Sequence, residues 1–178
     1  MEEYVINKLI FKKTISENEI DKAVSKIAKK INKDYQNSQP CFLITMKGAI
    51  FFGVELLKQI KLPCTIDVIS AKSYGEKMKS NGEVSIYHSN LDLKGKDVIL
   101  IEDIVDTGYT LEKLLKTINS FSPKSVKVAS LIAKPEKFCV DVHIDYLGFS
   151  VKPEFIIGYG LDFNELGRNL RGIYTLDN

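Results

Sequence analysis

The run Cys41-Phe42-Leu43-Ile44-Thr45-Met46 is apolar almost without a break and stops at Lys47-Gly48. Successive side chains of a strand point to opposite faces, so an unbroken apolar strand must be covered on both. Val98–Ile101 repeats this character, Cys64–Ile69 and Ser125–Ala133 read as further strands, and helical spacing falls between them. Ala49–Lys58 turns Phe52, Leu56 and Leu57 inward, and Thr110–Phe121 carries Leu111, Leu114, Leu115 and Ile118 at i, i+3, i+4 and i+7. Doubly covered strands alternating with helices predict an α/β fold, with an open, mainly parallel sheet flanked by helices.

Val5, Leu9, Ile10 and Phe11 suggest a short opening strand, and Ser16-Glu17-Asn18-Glu19 is a capping box that starts a helix. The apolar face of that helix is Ile20, Val24, Ile27, Ala28 and Ile31, and it should run out between Asn32 and Asn37, ahead of Pro40. Between Ser70 and Asn90 polarity rises and no helical period survives, which predicts a long mobile loop or hairpin of the kind that serves as a lid. After Lys134-Pro135 come short strands in DVHIDYLGFSV and EFIIGYG, then a tail, LDFNELGRNLRGIYTLDN, able to cap the sheet. With no internal repeat and no linker rich in Pro, Gly or Ser, residues 1–178 read as one domain. It divides into a core of about 16–135, a lid of about 70–90, and a small hood subdomain of about 1–14 and 150–178.

Composition narrows the partners. Lys and Arg number 25 against 23 Asp and Glu, a scattered net charge of +2 that argues against nucleic acid and for small ligands. Cys41, Cys64 and Cys139 are odd in number, far apart and set among apolar neighbours, so buried thiols in a reducing compartment are expected rather than disulfides. The start, MEEYVINKLIFKK, holds no apolar run long enough for a signal peptide or a membrane span. The expectation is a cytoplasmic protein with no membrane partner.

The densest chemistry lies in VILIEDIVDTGYTLEKLL, Val98 to Leu115. In open parallel sheets ligands bind beyond the carboxyl ends of the strands, where Glu102, Asp103 and Asp106 fall if Val98–Ile101 is a central strand. Three clustered carboxylates raise one another's pKa unless a cation, a ligand hydroxyl or donor groups compensate them. Thr107-Gly108-Tyr109-Thr110 then offers hydroxyls, a flexible Gly and the N–H groups of a helix start, a setting that suits a phosphate. A solvated acidic turn with Thr107 as an ordinary N-cap is the bland alternative. One ligand carrying both a phosphate and a pair of ribose hydroxyls, such as phosphoribosyl pyrophosphate, would satisfy the whole stretch.

IEDIVDTGYT resembles the phosphoribosyl pyrophosphate motif of type I phosphoribosyltransferases, and specifically of their hypoxanthine-guanine branch. The resemblance extends from the first helix to the carboxyl tail, with segments in the family's order. It implies that Glu102 and Asp103 hold the ribose hydroxyls near Mg²⁺, that Thr107, Gly108, Tyr109 and Thr110 wrap the 5'-phosphate, and that Asp106 takes a proton from the purine N7. Met46-Lys47-Gly48-Ala49 matches the family's pyrophosphate loop and assigns Lys47 and Gly48 to that group. Met46, where the family often has Leu, and Ala49 are mild departures.

Ser73-Tyr74-Gly75 stands where the family's lid carries a Ser-Tyr pair that closes over the reacting centre. Lys134, Phe155, Ile156 and Asp162 match the positions that recognise the base. A Lys ammonium donates to the exocyclic oxygen of a 6-oxopurine and disfavours adenine, while the Phe155 ring offers a stacking face and the Ile156 backbone can read ring edges. Taken alone, Phe155 would be read as core and Arg168 as a surface ion pair. In Asp162-Phe163-Asn164-Glu165-Leu166-Gly167-Arg168 the resemblance gives Asp162 a role at the metal and Arg168 a grip on pyrophosphate. Family members are dimers or tetramers, so a homodimer or homotetramer is implied.

Other readings fail on spacing. There is no GxxxxGK followed by Ser or Thr, GYGLDFNELG lacks the third Gly of a dinucleotide fingerprint, and His88 and His143 have no zinc-site spacing. Two rivals on the same fold stay open: a xanthine- or guanine-selective transferase, and a nucleotide-sensing regulator without catalysis. The regulator should have lost carboxylates or pyrophosphate contacts, whereas this chain keeps Lys47, Asp106, Asp162 and Arg168.

Overall fold

In a computed structural model, which describes residues 2–73, 84–87 and 90–177, the chain begins with two strands, β1 (Glu3–Ile6) and β2 (Leu9–Ile15), instead of the single strand expected. They pair antiparallel across Asn7 and Lys8, both in the left-handed region at φ 50° and 69°. That is the geometry of a tight hairpin turn, reached here without the Gly that usually announces it. Helix α1 (Glu17–Asp34) follows, and its capping box is formed. Glu19 N–H donates to Ser16 Oγ at 3.4 Å, and Ser16 N–H donates to Glu19 Oε2 at 2.9 Å. Ile20, Val24, Ile27, Ala28 and Ile31 are all buried, as their spacing predicts.

Next come β3 (Cys41–Met46), α2 (Ile50–Leu57), β4 (Thr65–Ser73), β5 (Val84–Tyr87), β6 (Asp97–Val105), α3 (Tyr109–Ser120) and β7 (Ser125–Ala133). A 3-10 turn (Pro135–Lys137), β8 (Tyr146–Ser150), β9 (Ile156–Ile157) and β10 (Ile173–Leu176) complete the chain. Among the described residues six strands form one sheet in the order β5-β4-β3-β6-β7-β8, parallel throughout except where β5 pairs with β4. The antiparallel β4–β5 pair spans 70–73 and 84–87, so the described ends of the expected loop or hairpin are a strand pair.

The continuous apolar runs now have their physical reason. Phe42 and Ile44 of β3, with Ile99 and Ile101 of β6, pack among α1 and α2 on one face. Cys41 and Leu43, with Val98 and Leu100, pack on the other face among Leu111, Leu114 and Ile118 of α3. Each such side chain contributes roughly 1.5–3 kcal/mol when fully buried, so the two covered faces fix the register of the central strands. A second, antiparallel sheet in the order β1-β2-β10-β9 packs Ile6, Phe11, Ile157 and Tyr174 into a core of its own.

Candidate active site

Strands β3 and β6 are neighbours, and the segments leaving them, 47–48 and 106–108, border a cleft of about 850 Å³. Asp162, Asn164, Glu165 and Arg168, from the segment between β9 and β10, also line it. A smaller cavity of about 390 Å³ adjoins it, and Asp103, Ile104, Asp106 and Asp162 line both. Two compartments therefore meet at the end of one strand.

The acids of β6 sit differently from the sequence expectation. The strand runs on to Val105, with Glu102 opposite Ser130 of β7, so Glu102 and Asp103 lie on the strand itself and only Asp106 lies beyond it. Glu102 is 5% exposed and accepts a hydrogen bond from Thr45 Oγ1 at 2.9 Å. Burial pushes its pKa well up and the neighbouring Asp103 adds to this, against the Thr45 bond. Burial also lifts Asp103 to about 6, opposed by the N–H groups of Ile104 and Asp103 itself and by Arg168, and reinforced by Asp162. A cation or a donor group beside these carboxylates would favour their charged forms.

Helix α3 opens at Gly108, which takes φ +90° as the N-cap, and no side chain caps the helix. The alternative in which Thr107 merely caps α3 is thereby excluded, and the first-turn N–H groups are left to a ligand or solvent. Thr107, Gly108 and Thr110 line the large cleft, but Tyr109 is 37% exposed and does not line it. Lys47 Nζ lies 2.9 Å from Glu165 Oε2. Arg168 pairs with Asp162 at 2.7 Å and Glu165 at 3.4 Å, and donates to the Gly160 carbonyl at 2.7 Å. Lys47, Gly48 and Arg168 thus all line the cleft, with both cations held by acids.

In the smaller cavity Lys134 is only 5% exposed, and its Nζ stands 3.9 Å from Asp106 Oδ1. Burial lowers the Lys134 pKa, against the pull of Asp106 and with a push from Lys137. Phe155 is 45% exposed and lines the cavity, its ring perpendicular to that of Phe163 with centroids 5.8 Å apart, so the core reading does not apply. Ile156 is buried in β9 and reaches the same cavity. Ser73 ends β4, and Tyr74 lies outside the described residues.

Sequence reasoning missed Thr45, Lys137 and Glu165. Lys137 holds Asp106, with 2.8 Å to Oδ1 and 2.9 Å to Oδ2. A signal for it existed: Pro135 after Lys134 sets up a tight turn that stacks residues three apart.

Among the described residues no group of three or more His, Cys, Asp or Glu forms a metal cluster. The donor set nevertheless suits Mg²⁺, a hard cation that takes one or two carboxylates and completes its shell with water and substrate phosphate oxygens. Asp103 and Asp162 line one cleft, and the charge of Asp162 already raises the Asp103 pKa, a mutual repulsion that a cation would relieve.

Residues 14–164 match the phosphoribosyl transferase domain model. The hypoxanthine phosphoribosyltransferase of Haemophilus influenzae is 37% identical over 160 residues, covering 88% of this chain and 89% of that protein. The hypoxanthine-guanine phosphoribosyltransferase of Bacillus subtilis is 37% identical over 168 residues, covering 94% and 93%. Among solved structures, a hypoxanthine-guanine phosphoribosyltransferase from Bacillus anthracis superimposes with a TM-score of 0.87 at 36% identity, covering 93% of this chain and 98% of that one.

Proposed function

This chain belongs to the phosphoribosyl transferase family, and from that premise we propose that it joins hypoxanthine, and guanine also, to C1 of phosphoribosyl pyrophosphate. The products are IMP or GMP and pyrophosphate, a salvage reaction for purines. The observation that carries this reading is the pair of cavities meeting at Asp103, Ile104, Asp106 and Asp162, one polar and large enough for a phosphorylated sugar, the other walled by Lys134 and Phe155.

As the C1–O bond to pyrophosphate breaks and the C1–N bond to the base forms, negative charge grows on the leaving group and positive charge on the sugar. Lys47, Arg168 and the Gly48 backbone receive the pyrophosphate. Glu102 and Asp103 hold the ribose hydroxyls, and Thr107, Gly108 and Thr110 bind the 5'-phosphate, with the backbone of Tyr109 contributing rather than its side chain. Asp103 and Asp162, with Glu102 close by, would hold Mg²⁺, which would neutralise charge on the diphosphate. Lys134 donates to the 6-oxo group, Phe155 stacks on the ring, the Ile156 backbone reads its edge, and Asp106 accepts the proton from N7.

The division into a core of about 16–135 with a hood of about 1–14 and 150–178 belongs to this reading, as does a lid bearing Ser73 and Tyr74 that excludes water from the reacting centre. So do a cytosolic location and a homodimeric or homotetrameric assembly. No helix among the described residues is long and apolar enough to cross a membrane.

The test is incubation with phosphoribosyl pyrophosphate, Mg²⁺ and each of hypoxanthine, guanine, xanthine and adenine, following monophosphate formation. Product with the first two and none with adenine is expected, and no product with any base defeats the proposal. Asp106→Asn should keep affinity for phosphoribosyl pyrophosphate and lose turnover; full turnover with hypoxanthine would take Asp106 out of its role.

A further inference from the structure

The segment after β7 is stitched to the end of β6 on both sides of Asp106. Lys134 N–H donates to the Val105 carbonyl at 3.0 Å, and Cys139 N–H donates to the Thr107 carbonyl at 2.9 Å. Between those two bonds Pro135 opens the 3-10 turn, which closes through Lys137 N–H to the Lys134 carbonyl at 2.9 Å. In a 3-10 turn residues three apart eclipse, so Lys134 and Lys137 project on the same side. Both reach the Asp106 carboxylate, Lys134 at 3.9 Å and Lys137 at 2.8 Å. The two lysines differ in surroundings, since the Lys134 side chain is 6% exposed and that of Lys137 is 36% exposed. The function proposed above uses Lys134 on the base and leaves Lys137 without a task.

We propose that Lys137 is a positioning residue for Asp106, holding its carboxylate turned toward the base cavity while Lys134 is released to meet the purine oxygen. This rests on the phosphoribosyl transfer reading. A carboxylate has about four lone-pair sites, so one ammonium shared between its two oxygens leaves room for the N–H of an incoming base. The charge balance of the cavity makes the cation necessary. Asp103, Glu154 and Asp162 line it together with Asp106, against Lys134 and Lys137 as its lining cations. Without Lys137 the buried Lys134 becomes the nearest counter-ion to Asp106 and is drawn away from the purine.

The experiment compares wild type, Lys137→Gln and Lys137→Arg at neutral pH, with hypoxanthine varied at saturating phosphoribosyl pyrophosphate and Mg²⁺. In Lys137→Gln kcat/KM for hypoxanthine falls about tenfold, a loss on the scale of one general-base contribution weakened rather than removed. The KM for phosphoribosyl pyrophosphate stays at the wild-type value, and Lys137→Arg restores kcat/KM for hypoxanthine. An unchanged kcat/KM for hypoxanthine in Lys137→Gln overturns the proposal, as does a loss of activity matched by Lys137→Arg. A crystal structure of Lys137→Gln reads the same pair without turnover. Lys134 Nζ closes on the Asp106 carboxylate from its 3.9 Å if the proposal holds and stays put if it does not. Absence of product from wild type would count against the transfer reaction, while the Lys134–Asp106 separation would still decide the role of Lys137.

Discussion

Gly48 and Asp103 are in such close contact that a Cβ on Gly48 would lie 1.8 Å from Asp103 Oδ2. The atom it meets is the end of a side chain, so the fold can yield, but the yielding group is the carboxylate assigned to ribose and metal. That carboxylate is also fixed by the N–H groups of Ile104 and Asp103, bonds that any displacement breaks. Gly48→Ala should therefore lower kcat/KM for phosphoribosyl pyrophosphate at least tenfold while leaving the melting midpoint within a few degrees of wild type. Steady-state kinetics beside a thermal melt separate the two, and wild-type kinetics would show that Asp103 is free to relocate.

Gly160 meets the other side of the same loop with the opposite consequence. It takes φ +102°, and a Cβ there would lie 1.9 Å from the Gly48 carbonyl oxygen, a backbone atom that cannot turn aside. Strain of that kind costs about 3 kcal/mol or more once the clash is added to the unfavourable φ. In a chain of this size that lowers the melting midpoint by roughly 6–12 °C. Gly160→Ala should accordingly be lost to instability first, and a melt unchanged from wild type would mean that the approach of 160 to 48 is not structural.

What could be read in the sequence depended on how local each cause is. The α1 face and the doubly covered strands were legible because helix period and unbroken apolar runs act within one element. The opening hairpin was not, since Asn7 and Lys8 adopt left-handed dihedrals with no Gly to signal them. Glu102 and Asp103 were identified as site residues but set past the strand, because only pairing with β7 carries β6 to Val105. Lys137 and Glu165 escaped for a different reason. Each matters through one partner, Asp106 or Lys47, that is 31 or 118 residues away.

Stability should fall as pH rises through the range where Asp103 ionises. Its folded pKa of about 6 lies above the ordinary 3.8, and Glu102 is raised as well, so the folded state binds protons more readily than the unfolded chain. A raised carboxyl contributes stability that is whole below the unfolded pKa, near 4, and is lost on passing the folded pKa. For Asp103 the loss amounts to up to about 3 kcal/mol. Asp103→Asn cannot ionise, so at pH 8 it should melt higher than wild type while failing to turn over. Melts of both proteins at pH 5 and pH 8 test this, and a variant no more stable than wild type at pH 8 would refute the burial penalty.

Glu165 occupies the two cations proposed to receive pyrophosphate, Lys47 and Arg168. Its carboxylate is 2.9 Å from Lys47 Nζ and 3.4 Å from Arg168, and bonding to Lys47, followed by the charge of Arg168, holds its pKa below the ordinary range. The backbone puts it there: Asn164 and Glu165 are left-handed at φ 52° and 67°, Glu165 N–H donates to Asp162 Oδ2 at 2.8 Å, and Phe163 and Leu166 exchange hydrogen bonds across the turn. An anion tethered beside Lys47 and Arg168 competes with any diphosphate arriving there. Because the Lys47–Glu165 pair is exposed, the competition is a few-fold effect and weakens with salt. Glu165→Gln keeps the shape and removes the charge, so the inhibition constant of pyrophosphate should fall a few-fold at low ionic strength and converge on the wild-type value at high salt. The KM for phosphoribosyl pyrophosphate should fall in parallel. Product-inhibition kinetics at two salt concentrations measure both, and a weaker grip on pyrophosphate in Glu165→Gln would make Glu165 an organiser of Lys47 and Arg168 instead of their competitor.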